Sequence, residues 1–172
     1  MEETLLLQLA REGRESAIEE LFAEVWPDTW HWAYGVTGDR TLADHVAQEA
    51  IFRAFGSLDR FDLTRPFRPW LKRITINVAI DELRRERRQR SLGSVGAFPG
   101  GADTGEEDEL RHGIIAAVRG LPSAQRIVIV LHYWLDCPID EIASILNIPV
   151  GTVASRMSRA RAALREQMGV PS

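Results

Sequence analysis

The fold of this chain is decided by residues 139–166, IDEIASILNIPVGTVASRMSRARAALRE. Within them, five apolar side chains have the spacing of two short helices that share a buried seam: Ile142, Ala143, Leu146, Ile148 and Val153. Asn147 falls at the turn between the two, where a left-handed backbone is often needed and asparagine tolerates it. The pattern predicts a helix-turn-helix. The alternative is an ordinary helical hairpin with a solvated basic face.

The second of these helices is basic. Four arginines project from it: Arg156, Arg159, Arg161 and Arg165. Gly151 and Thr152 stand at its start, where unpaired backbone N–H groups can hold a phosphate. A helix with these features is typical of DNA-binding domains.

Charge is strongly segregated along the chain, although the net charge is only −4. Residues 65–91 carry 9 basic and 3 acidic side chains, and residues 150–172 carry 4 basic and 1 acidic. In contrast, residues 1–64 carry 5 basic and 13 acidic side chains, and residues 92–109 carry 5 acids and no base. Two basic segments separated by acid indicate two nucleic-acid contacts rather than one.

Composition narrows the class of protein. The chain has 172 residues, of which 45% are hydrophobic and 27% charged, as in soluble globular proteins. No apolar run reaches the roughly 18 residues needed to cross a membrane, so we expect no direct membrane insertion. The acids before the first apolar stretch are the reverse of a secretory signal. The single cysteine, Cys137, excludes an internal disulfide and fits a cytoplasmic protein.

Helical periodicity dominates the sequence and predicts an all-α protein. We expect two small helical domains, residues 1–91 and 109–172, joined by a flexible acidic linker at residues 92–108. Pro27 should kink or break the helix that contains it. The segment IVIVLHYWL, residues 127–135, is rich in β-branched side chains, but its helical surroundings favour a helix over a buried strand.

Catalytic motifs are not evident. The histidines are scattered, and none lies at metal-ligand spacing from another histidine or cysteine: His31, His45, His112 and His132. The sequence has neither a phosphate-binding P-loop nor a nucleophile elbow. We therefore predict no metal, no cofactor and no enzymatic activity. An enzyme with an unrecognised acidic site in residues 1–64 is the remaining alternative of that class.

The central basic segment combines cations with aromatic rings. Phe67 and Trp70 lie among Arg68, Lys72 and Arg73, an arrangement that suits an unstacked single strand, because stacking contributes about 1–3 kcal/mol per base. Trp70 fits a core position equally well. Further along, the segment offers two polar side chains that can read base edges or bridge within the helical bundle, Asn77 and Asp81, and a basic run that can neutralise phosphates, including Arg84, Arg85 and Arg88.

Three segments, taken in order, resemble an extracytoplasmic-function (ECF) sigma factor of the sigma-70 family. They are LADHVAQEAIFRAFGSLDRF at residues 42–61, PFRPWLKRITINVAIDELRRERR at residues 66–88, and LPSAQRIVIVLHYWLDCPIDEIASILNIPVGTVASRMSRARAAL at residues 121–164. The first resembles the helix that docks on RNA polymerase, the second the segment that reads and melts the −10 element, and the third the helix-turn-helix domain that reads the −35 element.

The resemblance implies partners and contact residues. The partners are core RNA polymerase (the clamp helices of its largest subunit and its flap region), promoter DNA, and an anti-sigma factor. The contacts implied for core polymerase are Asp44, Gln48, Glu49 and Phe52. Those implied for the −10 element are Phe67, Trp70, Lys72, Arg73, Asn77, Asp81, Arg84, Arg85 and Arg88, with residues 62–67 as a pocket wall. Those implied for the −35 element are Arg126, Gly151, Thr152, Ala154, Ser155, Arg156, Ser158, Arg159 and Arg161.

A second class of function also fits the helix-turn-helix. The chain would then be a stand-alone transcriptional regulator, whose N-terminal domain senses a signal or dimerises. That alternative predicts tight binding to duplex DNA without polymerase.

Overall fold

The computed structural model describes residues 3–90 and 108–169, which are mainly helical and form two compact units, one in each range. The predicted all-α fold with two helical domains is confirmed. The predicted linker lies outside the described residues, apart from Asp108, where α5 begins. The helices are α1 Glu3–Arg11, α2 Glu15–Thr37, α3 Arg40–Gly56, α4 Phe67–Arg90, α5 Asp108–Gly120, α6 Ser123–Ile129, α7 Ile139–Leu146 and α8 Val150–Gln167. Among the described residues, no helix combines the length and the apolar character that crossing a membrane requires.

Helix α2 runs unbroken through Pro27, so a break at this proline is wrong, while a kink there stays a prediction. Side chains at four-residue spacing are buried on both sides of the proline: Ala17, Leu21, Val25, Thr29 and Ala33. This stripe packs against α1, α3 and α4. Pro27 lies on the exposed face of α2 and has no backbone N–H, so one hydrogen bond of the helix is missing on that face. Packing of the buried stripe holds the helix on both sides of it.

A tight turn joins α2 to α3. Gly38 ends α2 in a left-handed conformation, with φ 66°, and its N–H donates to the Tyr34 carbonyl at 2.8 Å. Asp39 then caps α3, because its Oδ1 accepts the Leu42 N–H at 2.7 Å. Helix α3 buries small side chains against its neighbours, and these let the helices approach closely: Ala43, Ala47, Ala50 and Ala54.

The core of the first unit supports the beginning of α4. Phe67 and Leu71 of α4 are fully buried with Leu6 of α1, Leu21 of α2 and Ile51 of α3. A 3-10 turn, Leu58–Arg60, contributes Leu58 to the same core. The first turns of α4 are therefore fixed by side chains from every other helix of the unit.

The second unit contains the predicted helix-turn-helix, α7 and α8. Asn147 ends α7 with φ 53° and ψ 50°, the left-handed conformation expected from the sequence. The Ile148 N–H reaches back to the Ala143 carbonyl at 3.0 Å and closes the turn. Ile142 and Val153 are fully buried between the two helices.

The segment at residues 127–135 is helical, as predicted, but its second half is a π-helix, Val130–Trp134. The Leu135 N–H donates to the Val130 carbonyl, five residues back, at 3.1 Å. The wider turn leaves Tyr133 57% exposed and Trp134 44% exposed. The sequence pattern did not predict this π-turn.

Candidate nucleic-acid and protein interfaces

A surface groove of about 630 Å³ lies between α2 and α3 and brings together three of the predicted polymerase contacts, Gln48, Glu49 and Phe52. Phe52 is 76% exposed, and Phe22 of α2 is 40% exposed across from it. The remaining lining residues are Ile18, Glu19, His45, Ile51 and Phe55. An exposed phenylalanine beside a mostly apolar groove is unusual for a surface that only faces water.

The charged groups near this groove have defined partners. The Glu49 carboxylate accepts a hydrogen bond from Arg53 Nε at 2.6 Å, one helical turn away. The Asp44 carboxylate accepts a hydrogen bond through Oδ1 from the indole Nε1 of Trp30, also at 2.6 Å. Asp44 and Gln48 are both exposed. The groove thus has an apolar floor and an acidic, polar rim.

Four aromatic side chains of α2 form two stacked pairs that the sequence analysis did not identify. Phe22 stacks on Trp26 with ring centroids 5.4 Å apart, and Trp30 stacks on Tyr34 at 5.1 Å with the planes 7° apart. The four-residue spacing within each pair could have indicated the stacking, but the same spacing also fits a helix face that packs in a core.

The start of α4 is too buried for some of the DNA contacts predicted there. Phe67 has no exposed surface and meets Phe61 edge-on, with centroids 5.5 Å apart. Because a fully buried ring has no face left for a base, the predicted contact of Phe67 with DNA does not fit this position. Phe67 instead supports Trp70, which is half-buried and lies 4.7 Å from the Phe61 ring.

Arg68 is held by carboxylates of two other helices. It forms an ion pair with Asp28 of α2, and its guanidinium lies 3.8 Å from both Glu24 of α2 and Glu3 of α1. Arg68, a cation of the central basic segment, therefore helps to hold the helices of the first unit together.

The remainder of α4 carries the predicted polar and basic side chains along its surface. Lys72 is half-buried, and the others are exposed: Arg73, Asn77, Asp81, Arg84, Arg85 and Arg88. Asp81 pairs with Arg84, and Glu82 with Arg85, each at 3.6 Å. The Asp81–Arg84 pair is exposed and contributes only about 0–1 kcal/mol, so a phosphate can replace its carboxylate. Asp81 thus pairs with a neighbour on its own helix, and its contact with base edges stays a prediction.

The loop before α4 is locally ordered by Asp62. Its Oδ1 accepts the Thr64 hydroxyl at 2.7 Å and the Thr64 N–H at 3.0 Å. The hydrogen bond from the Thr64 hydroxyl, then that from its N–H, lowers the pKa of Asp62 below the ordinary aspartate value, and the Arg65 charge adds to this. The loop thus presents a hydrogen-bonded, ionised carboxylate at the residue that follows Phe61 in the chain.

Helix α8 has one buried face and one open face. Val153, Met157 and Ala160 pack inward. The predicted contact residues lie on the other side, where Gly151, Ala154, Ser158, Arg159 and Arg161 are exposed and Thr152, Ser155 and Arg156 are half-buried. Of the two backbone donors predicted for a phosphate, the Thr152 N–H is already used within the first turn, where it donates to the Pro149 carbonyl at 2.9 Å.

Arg126, also predicted to contact the DNA backbone, has a structural bond. Its Nη1 donates to the Arg119 carbonyl at 2.8 Å and so ties α6 to the end of α5. The predicted contact of Arg126 with the DNA backbone stays a prediction beside this structural bond.

Of the residues considered for metal or thiol chemistry, His132 and Cys137 lie next to each other in the second unit. Within residues 3–90 and 108–169, no group of three or more histidine, cysteine, aspartate or glutamate side chains is placed to hold a metal ion. Cys137 is buried, and its carbonyl lies 3.0 Å from Nδ1 of the half-buried His132.

Comparison with known proteins agrees with this arrangement. The family model for sigma-70 region 2 matches residues 21–89, which include α3 and most of α4, and the model for sigma-70 region 4 matches residues 111–164, which include the helix-turn-helix. The chain is 33% identical to the ECF RNA polymerase sigma factor SigW of Bacillus subtilis over 94% of both chains.

Two solved structures share the fold. CnrH, solved in complex with the cytosolic domain of CnrY, is 29% identical with a TM-score of 0.61, and the match covers 98% of each chain. The sigma factor RpoE of Bartonella quintana, solved with the anti-sigma factor NepR, is 22% identical with a TM-score of 0.62, covering 90% of this chain and 98% of that one. With both conserved regions and a full-length relative in agreement, the chain belongs to the sigma-70 family as an ECF RNA polymerase sigma factor.

Proposed function

We propose that the α2–α3 groove is the surface through which this sigma factor docks on the clamp helices of core RNA polymerase. The observation that carries the proposal is Phe52, which is 76% exposed and lines the groove together with Gln48 and Glu49. Burying such a ring on binding contributes about 1.5–3 kcal/mol. The Asp44 and Glu49 carboxylates supply charge complementarity to a basic partner.

The exposed face of α4 is the proposed −10 contact. Arg73, Arg84, Arg85 and Arg88 offer cations to the phosphates, and Trp70 offers the exposed part of its ring to an unstacked base. Extruding a base from the stack costs a few kcal/mol, so the melted strand needs a pocket. The Asp62–Thr64 turn, fixed by its own hydrogen bonds, is the candidate wall of that pocket.

Helix α8 is the proposed −35 reader. Its open face fits the major groove of B-DNA, which admits an α-helix. Arg156 and Arg159 are the proposed contacts with base edges or adjacent phosphates, together with Ala154, Ser155 and Ser158. Arg161 and Arg126 are the proposed contacts with the DNA backbone.

Recognition divided between two weak contacts depends on polymerase. When core enzyme holds both domains at the promoter spacing, the second contact becomes intramolecular and gains from a high effective concentration. The acidic residues elsewhere in the chain weaken non-specific binding by the free protein. The chain acts as a specificity subunit in the bacterial cytoplasm, with no chemical step of its own.

A second contact with polymerase and one further partner follow from the family. Tyr133 and Trp134, exposed on the π-turn, are the candidate contact with the polymerase flap. An anti-sigma factor that covers the α2–α3 groove would keep the chain from polymerase, and this would couple its activity to a signal.

Measuring affinity for core RNA polymerase of the host bacterium tests the docking surface. We expect Phe52→Ala to weaken binding about tenfold, and Asp44→Ala combined with Gln48→Ala to weaken it at least as much. Leu5→Ala is the matched control, since Leu5 is 45% exposed on α1 and does not line the groove. Unchanged affinity in both groove variants would refute docking at this surface.

A further inference from the structure

A hydrogen bond connects the aromatic face of α2 to the predicted docking face of α3. The indole Nε1 of Trp30 donates to Oδ1 of Asp44 at 2.6 Å, although the residues are 14 apart in sequence. The Trp30 ring is itself held by Tyr34, which stacks on it nearly parallel, with planes 7° apart. The bond therefore joins a carboxylate at the surface to a side chain whose orientation is already fixed.

The position of Asp44 gives this bond a consequence for binding. Asp44, Gln48 and Phe52 are spaced four residues apart on α3, so they lie along one side of the helix. Asp44 is exposed, and an exposed carboxylate ordinarily samples several rotamers. With Oδ1 engaged by the indole, the rotamer is set, and Oδ2 is left to accept a hydrogen bond from a partner.

We propose that Trp30 is a positioning residue for core-polymerase docking, which it serves by holding Asp44 in the orientation that meets a basic side chain of the polymerase. The inference rests on the proposed function of the α2–α3 groove. It adds a residue on α2 that lies outside that groove and acts through Asp44 rather than by touching polymerase.

The expected size of the effect on affinity follows from the rotamer freedom that binding must remove from Asp44. Ordering one flexible interface side chain weakens association by roughly 2- to 10-fold, and a side chain ordered in advance avoids that loss. Removing the indole N–H should therefore weaken core binding by about this factor while Asp44 is present.

Trp30→Phe in the full-length chain is the test. Phenylalanine keeps an aromatic ring for the stack on Tyr34 but has no N–H to donate. Trp32→Phe is the matched control on the same helix, because Trp32 packs against the core and does not line the groove. We expect the Kd for core polymerase to rise roughly 2- to 10-fold for Trp30→Phe and to stay unchanged for Trp32→Phe.

A double-mutant cycle with Asp44→Ala distinguishes positioning from a general structural role. If Trp30 acts through Asp44, then Trp30→Phe has no further effect in the Asp44→Ala background. Additive losses would overturn the inference, and so would a Trp30→Phe variant that binds like the wild type. If Asp44→Ala binds normally while Phe52→Ala does not, the inference fails and the docking surface stands. If the wild-type chain does not bind core enzyme, both fail.

Hydrogen exchange of the Trp30 indole proton supplies a readout that does not depend on the stability of a tryptophan variant. In the wild-type chain this proton should exchange more slowly than an exposed indole. Asp44→Ala should abolish that protection, whereas Gln48→Ala should leave it intact. Unprotected exchange in the wild type would show that the bond does not persist in solution, and the inference would be overturned.

Discussion

Arg68, in the first turn of α4, is paired with Asp28 in the middle of α2, and the two residues are 40 apart in sequence. Glu24 and Glu3 lie on the same guanidinium at 3.8 Å, so one cation connects three helices. Arg68 therefore contributes to the packing of the first unit, although its position beside Lys72 and Arg73 in the sequence suggested nucleic-acid binding.

Arg68→Ala should therefore destabilise the first unit. Because the side chain is 39% exposed, we expect a modest loss of about 1–2 kcal/mol in the free energy of unfolding, measured by chemical denaturation. Arg60→Ala is the control, since Arg60 is an exposed arginine on the neighbouring 3-10 turn. Equal stability of the two variants would show that the acidic cluster does not hold α4.

Asn147 offers a test of the helix-turn-helix backbone. It is exposed and adopts φ 53°, where a residue with Cβ is strained unless its side chain is asparagine or aspartate. Asn147→Ala should lower stability by about 1 kcal/mol, whereas Asn147→Gly should be neutral or slightly stabilising. Thermal unfolding of both variants measures this, and a more stable alanine variant would contradict the left-handed turn.

Arg156 and Arg159 are expected to read the −35 element. Each alanine substitution should weaken binding of the polymerase–sigma complex to promoter DNA by about 1–3 kcal/mol if the arginine contacts a base, with core binding unchanged. Arg165→Ala, in the last turn of α8, is the matched control. Normal promoter binding by both arginine variants would contradict the proposal that α8 reads the −35 element.

The pKa of Asp62 gives a pH-dependent prediction. Because Thr64 holds this pKa below the ordinary aspartate value in the folded chain, the associated stabilisation is present above that ordinary value. It is lost as pH falls through the lowered pKa. Thr64→Val removes the hydroxyl and should raise the Asp62 pKa toward its ordinary value, which an NMR titration of the carboxyl measures. Arg65→Ala should raise it less, since the Arg65 charge is the smallest of the effects that lower the pKa. A pKa unaffected by Thr64→Val would contradict the hydrogen-bond assignment.

Much of the helical fold follows from local patterns in the sequence. Apolar spacing predicted α7 and α8, and the tolerance of asparagine for a left-handed backbone predicted the turn at Asn147. These features depend on residues within one or two turns of each other. Pro27 shows the limit, because whether a proline breaks a helix depends on packing by α1, α3 and α4, which the local sequence does not contain.

The candidate interfaces were less accessible to sequence reasoning for the same reason. Phe67 and Trp70 have the same composition around them and both contact Phe61, yet Phe67 is fully buried in the core while Trp70 packs against it and stays half-exposed. The bonds of Arg68 to α2 and of Trp30 to α3 join distant residues, so no spacing rule identifies them. Sequence patterns thus indicated which segments contact nucleic acid or protein. Tertiary contacts determine which of their side chains remain accessible for those contacts.

The most direct test of the central claim is run-off transcription by core RNA polymerase on genomic promoter fragments, with and without this chain. The account predicts that adding the chain creates initiation at discrete start sites, and that this selectivity falls sharply when Phe52→Ala or Arg159→Ala replaces the wild type. Sequence-specific binding of the chain alone to duplex DNA, with no start-site selectivity conferred on polymerase, would contradict it.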